Sequence, residues 1–101
     1  MADAQGNTYL GTSGHGALHA VMGKLLVGVQ KVEDWPTNVC GEIDAMNQYL
    51  AGNPWTEIAQ IPKGELFSHA ETWDATARKW KGRSACKNCE QWLKKIEAHM
   101  A

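Results

Sequence analysis

The feature that most constrains this chain is the placement of its cysteines. Cys40, Cys86 and Cys89 are the only three in 101 residues. An odd count cannot close into a disulfide framework. The last two form a Cys-x-x-Cys, and Cys40 stands 46 residues ahead of it. Taken one at a time, free cysteines are ordinary buried apolar residues. Taken together, they make three thiols, the number of protein ligands a catalytic zinc uses when its fourth position stays open. A fold serving that chemistry must bring a lone thiol back onto a distant pair.

The length suits a single domain spanning 1–101. A domain of this size has a small core, and a bound metal would add to its stability. A hydrophobic content of 44% argues against disorder, and a net charge of −1 supplies no overall basic field. No apolar run nears the roughly 18 residues of a membrane span, so no membrane partner is expected. The opening "MADAQGNTYL" lacks the apolar stretch of a signal peptide. It fits a start inside a longer protein.

Turn and strand formers in "GNTYLGTSG" predict a strand, with Ala2 to Gln5 as a stub of its partner. Leu18, Val21, Met22, Leu25, Leu26 and Val29 recur at helical spacing in "ALHAVMGKLLVGVQKV", although Gly23 and Gly28 weaken that helix. "CGEIDAMNQYLAGN" predicts a second helix that buries Ile43, Met46 and Leu50 and stops at Gly52 and Asn53. "WTEIAQI" predicts a strand, at least one strand is expected between Ile58 and Ala77, and "KGRS" predicts a turn. "ACKNCEQWLKKIEAHM" predicts a closing helix capped by Ser84. The order is that of an α/β domain with helices packed on a small mixed sheet.

Both cysteine segments thus start helices. A helix N-terminus offers unpaired N–H groups and partial positive charge, which favour thiolate over thiol. Glu42, two residues after Cys40, can face the open side of such a metal without binding it and carry protons for a metal-activated water. Gly41 between them leaves room for a base to approach the backbone. The order Cys-x-Glu followed by Cys-x-x-Cys is the zinc deaminase signature.

At these residues the chain resembles the cytidine deaminase superfamily, and within it the YwqJ-like bacterial toxin deaminases. The resemblance runs through "GNTYLGTSG", the pattern W-x-x-x-V-CGE-x-x-A-x-N from Trp35 to Asn47, and "ACKNCEQWL", covering most of the chain. It implies a small version of the three-layer α/β/α sandwich. It also implies Zn²⁺ on Cys40, Cys86 and Cys89, Glu42 as proton shuttle, and conversion of cytosine to uracil in nucleic acid. DNA is favoured over RNA, single-stranded or locally opened. The setting it implies is the C-terminal antibacterial toxin domain of a secreted or injected protein, monomeric, acting in the target-cell cytoplasm and countered by an immunity protein. Thr12 and Ser13 are expected near the substrate, as are Trp35 and Asn38. Two departures stand out. Ala85 occupies a position that is usually proline, and the chain ends soon after the third helix.

Other readings accompany this one. A structural zinc would recruit a fourth ligand such as a histidine, giving a non-catalytic interaction module. A redox Cys-x-x-Cys lacks its usual neighbours. The same chemistry on a free nucleoside or base, or on adenine, keeps the metal and changes the substrate. His69 and Glu71 form a second His-x-Glu, but only 17 residues separate His69 from Cys86. That is too few for a helix, a loop and a strand, so His69 is expected on the pocket wall or surface. His15 and His19 flank the first helix, and His15 is a candidate to line the pocket. Arg78, Lys79, Lys81, Arg83 and Lys87 surround Trp80. Such a run is either a solvated face or, with its aromatic, a contact for single-stranded nucleic acid.

Overall fold

The computed structural model describes residues 1–12, 14, 18–37, 40–83 and 85–100, the side chains of Trp73 and Arg83 aside. Ser13, His15, Asn38 and Ser84 lie outside the described residues. Three helices carry the core: α1 (Ala20–Leu25), α2 (Gly41–Ala51) and α3 (Lys87–Lys95). The strands are short: β1 (Phe67–Ser68), β2 (Ala70–Asp74), β3 (Lys79–Arg83) and β4 (His99–Met100). At the level of class the α/β expectation holds.

The helical periodicity read from the sequence becomes one apolar core. Val21, Met22 and Leu25 of α1 meet Ile43, Met46 and Leu50 of α2 and Trp92 and Leu93 of α3. Burying each large apolar side chain contributes about 1.5–3 kcal/mol. Cys40, Cys86 and Cys89 belong to the same cluster. The metal-ligand candidates are therefore built into the core. Trp92 Nε1 is buried without a partner among the described residues, and nothing in the structure explains it.

The first helix is much shorter than its periodicity predicts. Gly28 takes φ +81, a left-handed conformation open to glycine at little cost, and the chain turns out of the helix after Leu25. The freed carbonyls are not wasted: Lys95 Nζ donates to Leu25 O (2.8 Å) and Val27 O (2.6 Å), tying the end of α3 to the end of α1.

Three other expectations are corrected. Residues 58–60 form a 3₁₀ turn and not a strand, because Gln60 Oε1 accepts the N–H groups of Thr56 (2.7 Å) and Glu57 (2.9 Å). "KGR" is strand β3, paired antiparallel with β2 in the register Ala70 with Arg83 through Asp74 with Lys79. The turn is instead "ATAR", where Asp74 Oδ1 accepts from Thr76 N and Ala77 N at 3.0 Å each and Arg78 takes φ 53. The closing helix ends at Lys95. Glu97 adopts φ 53, Ala98 N donates to Leu93 O (3.0 Å) and Glu97 N to Lys94 O (3.1 Å), a Schellman stop without its usual glycine. The chain then returns as β4, parallel to β1.

The sheet is correspondingly narrow. Ala2 bridges Thr8 on one side and Phe67 on the other, both antiparallel, and β1 pairs with β4. Of the strand expected in "GNTYLGTSG" and its partner stub, the described residues keep only the isolated bridge between Ala2 and Thr8. After β1 the chain passes His69 and leaves this sheet for the separate β2–β3 hairpin.

Candidate metal centre

Cys40 is the N-cap of α2 and Cys86 the N-cap of α3, and neither side chain caps its own helix. Both sulfurs are left free to point at each other. Cys89 follows in the first turn of α3, and Glu42 in the first turn of α2. Their ligand atoms all lie within 4.8 Å of one another. These four side chains are positioned to hold a metal ion. The cysteines are buried and Glu42 is half-buried.

The three thiols are electrostatically unequal. Cys40 is the thiol whose ionisation is favoured. Its pKa is pulled down to about 6, chiefly by hydrogen bonding from Cys89, against the cost of burial, with help from Cys86 and Trp35. The Cys40 and Cys86 sulfurs are 2.9 Å apart, and Trp35 Nε1 donates to Cys40 Sγ at 3.1 Å. Cys86 is pushed up, first by burial. Cys89 is pushed up first by its hydrogen bond to Cys40, then by burial. Ionisation is thus favoured at Cys40 over Cys86 and Cys89, and ligation of a cation by all three would release protons. The thiolate-rich donor set suits a borderline-soft divalent ion such as zinc. Zinc–sulfur bonds of about 2.3 Å would open the Cys40–Cys86 pair.

One close approach shapes the mouth of the centre. The chain at Gly11 crosses the first turn of α2 so tightly that a Cβ there would lie 2.1 Å from Gly41 O and 2.4 Å from Ala45 N. Side chains of α2 hold this crossing in place. Thr12 N donates to Asp44 Oδ2 (3.0 Å), Gln48 Nε2 to Leu10 O (2.6 Å), and Asn47 Oδ1 accepts from His19 N (3.0 Å).

Above the sulfurs opens a cleft of about 1180 Å³. Its lining includes Cys40, Gly41, Glu42 and Cys86, together with Thr12, Trp35, His69 and Trp80. Four of the candidate substrate contacts, Gly41, Thr12, Trp35 and His69, line this cleft. Ser13 and Asn38 fall outside the described residues. His69 is a wall residue, its Nε2 3.3 Å from Glu71 Oε1, and neither joins the four-residue metal cluster. His19 caps α1 by accepting from Val21 N.

The basic run is divided by its own strand. Successive residues of β3 face opposite sides. Trp80 faces the cleft, while Lys79 and Lys81 lie on the other face, where Lys81 Nζ pairs with Asp74 Oδ2 at 2.5 Å. That pair holds the Asp74 carboxyl below its ordinary range. Arg78 is in the turn, and Lys87 opens α3 with its N–H on Glu33 Oε1 (3.1 Å). No lysine or arginine is among the described residues lining the cleft.

Sequence reasoning missed Gly11, Asp44 and Asn88. Asn88 sits inside the Cys-x-x-Cys and is fully buried. A polar residue between two core cysteines was the available signal. Comparison of the chain with protein-family models, curated proteins and solved structures finds no match.

Proposed function

We propose that this chain is a zinc-dependent hydrolytic deaminase that converts cytosine to uracil in nucleic acid, DNA above RNA, on a reduced version of the deaminase sandwich. The observation that supports it is the convergence of three cysteine sulfurs and the Glu42 carboxylate within one cluster, of which Cys40, Cys86 and Glu42 line an open cleft. A purely structural metal site has no need of a cleft over its ligands. Cys40, Cys86 and Cys89 would hold the zinc. When bound, zinc supplies Lewis-acid activation of water.

The protein's own groups do the rest. Glu42, in the first turn of α2, takes a proton from water as the water oxygen adds to C4 of cytosine, and delivers that proton to N3. It then passes the remaining hydroxyl proton to the amino group, which leaves C4 as ammonia while the C4 carbonyl forms. Gly41 presents no side chain, so the base edge can come close to the helix N-terminus and its unpaired N–H groups. Trp35 walls the base, and Trp80 at the rim offers a stacking surface for an adjoining base. The setting as a toxin domain with a cognate immunity protein is carried by the sequence resemblance alone.

A second substrate reading, a free nucleoside or base, is favoured by the lack of lysine and arginine among the described cleft residues. One experiment separates the two. The zinc-loaded protein is incubated with single-stranded DNA, duplex DNA, RNA and free nucleosides. Polymers are sequenced for C-to-T and A-to-G changes, and nucleosides are separated by chromatography. The proposal expects C-to-T changes, most in single-stranded DNA. Conversion of cytidine or deoxycytidine alone selects the second reading, and no conversion in any pool removes both.

A further inference from the structure

The loop of residues 30–35 is tied to the first turns of α3 by a set of hydrogen bonds that the proposed chemistry does not use. Gln91 Oε1 accepts from Gln30 N (2.8 Å) and Gln91 Nε2 donates to Gln30 O (2.7 Å). Glu33 Oε1 accepts from Lys87 N (3.1 Å). The buried Asn88 does most. Its Oδ1 accepts from Val32 N (2.8 Å) and Glu33 N (3.3 Å), and its Nδ2 donates to Trp35 O (3.2 Å). Asn88 lies between Cys86 and Cys89 in sequence. The residue it fixes, Trp35, turns its indole N–H onto the sulfur of Cys40, at 3.1 Å. The loop thus runs from one half of the ligand set to the other.

We infer that Trp35 is a positioning residue for the metal centre, set by Asn88 and acting through its N–H···Sγ bond to Cys40. This rests on the zinc reading above. Three thiolates place a net negative charge around a divalent cation, which weakens its pull on a fourth ligand. A hydrogen bond donated to one sulfur withdraws charge from it and fixes its direction, as outer partners of metal ligands do. An indole suits the task because it is a donor only and cannot itself take the metal.

The test is made on the whole chain with two substitutions: Trp35→Phe, and replacement of Trp35 by 3-benzothienylalanine, which keeps the ring size and exchanges N–H for sulfur. Zinc affinity is measured by competition with a chromophoric chelator. The thiolate-to-metal charge-transfer bands are measured after cobalt(II) substitution. Both variants are expected to bind zinc about tenfold more weakly and to shift the cobalt bands to longer wavelength, with far-ultraviolet circular dichroism unchanged. If Trp35→Phe does not fold, the benzothienylalanine protein decides. Wild-type affinity and band position in that protein overturn the inference while leaving the metal centre intact. A wild-type chain that binds neither zinc nor cobalt overturns the metal centre and this inference together.

Discussion

The two helix N-termini and the β2–β3 hairpin bound the same cleft and are built in opposite ways. At the helix ends, the cysteines are core residues and described flanking segments are pinned: Thr12 by Asp44, the 30–35 loop by Asn88, Cys40 by Trp35. On the hairpin, Trp80 is 62% exposed, and the strands carry their own ladder, the Asp74 turn and the surface pair of Lys81 with Asp74. Groups that must meet a metal at fixed distances are immobilised by packing. On the proposed function, groups that would meet a substrate from outside are left in solvent.

Breaking the pinned side has the largest expected effect. Cys89→Ala should cost more zinc affinity than the about 10–100-fold typical of an outer-shell loss, read by chelator competition. Retained wild-type zinc would make Cys89 a core residue only. Next comes Gly11→Ala. The added Cβ meets backbone atoms of α2, which cannot yield as a side chain would. Overpacking of this kind costs about 1–3 kcal/mol. For a chain of this length each kcal/mol lowers Tm by roughly 4–8 °C, visible by calorimetry.

On the hairpin the comparison sharpens between its two faces. Trp80→Ala should remove about 1–3 kcal/mol of stacking, raising KM on single-stranded DNA roughly 5- to 150-fold with the zinc content unchanged. Lys79→Ala and Lys81→Ala, on the far face, should leave the salt dependence of binding as it is. A fall of about 0.7 in the log–log salt slope per lysine would return the basic run to the nucleic-acid contact. Smallest of all, Glu97→Gly should stabilise the fold by about 1 kcal/mol by relieving a left-handed non-glycine residue at the end of α3, seen as a higher denaturant midpoint.

The same division explains what could be read from the sequence. Helices α2 and α3 and the metal cluster were legible because cores follow a 3–4 spacing and because the ligand residues come in a fixed order. The α3 stop was not, since Glu97 replaces the glycine that signals such a turn. Strand β3 was read as a turn because "KGR" resembles one, whereas Asp74 makes the real turn through side-chain bonds to the backbone. The roles of Gly11 and Asn88 were hard to read for another reason, although the polar Asn88 between two core cysteines was a signal. Each matters through a contact with a segment more than 25 residues away, with Gly41 in one case and Val32 to Trp35 in the other.

The central claim is that three thiolates hold the metal while Glu42 stays free to move protons. It is tested most directly by Glu42→Gln, with zinc content and cytosine deamination measured on the same samples. The account predicts the wild-type amount of zinc and a loss of deamination of about 10²–10⁴-fold or more. Loss of zinc together with activity would make Glu42 a ligand, and retained deamination would contradict its role as proton carrier.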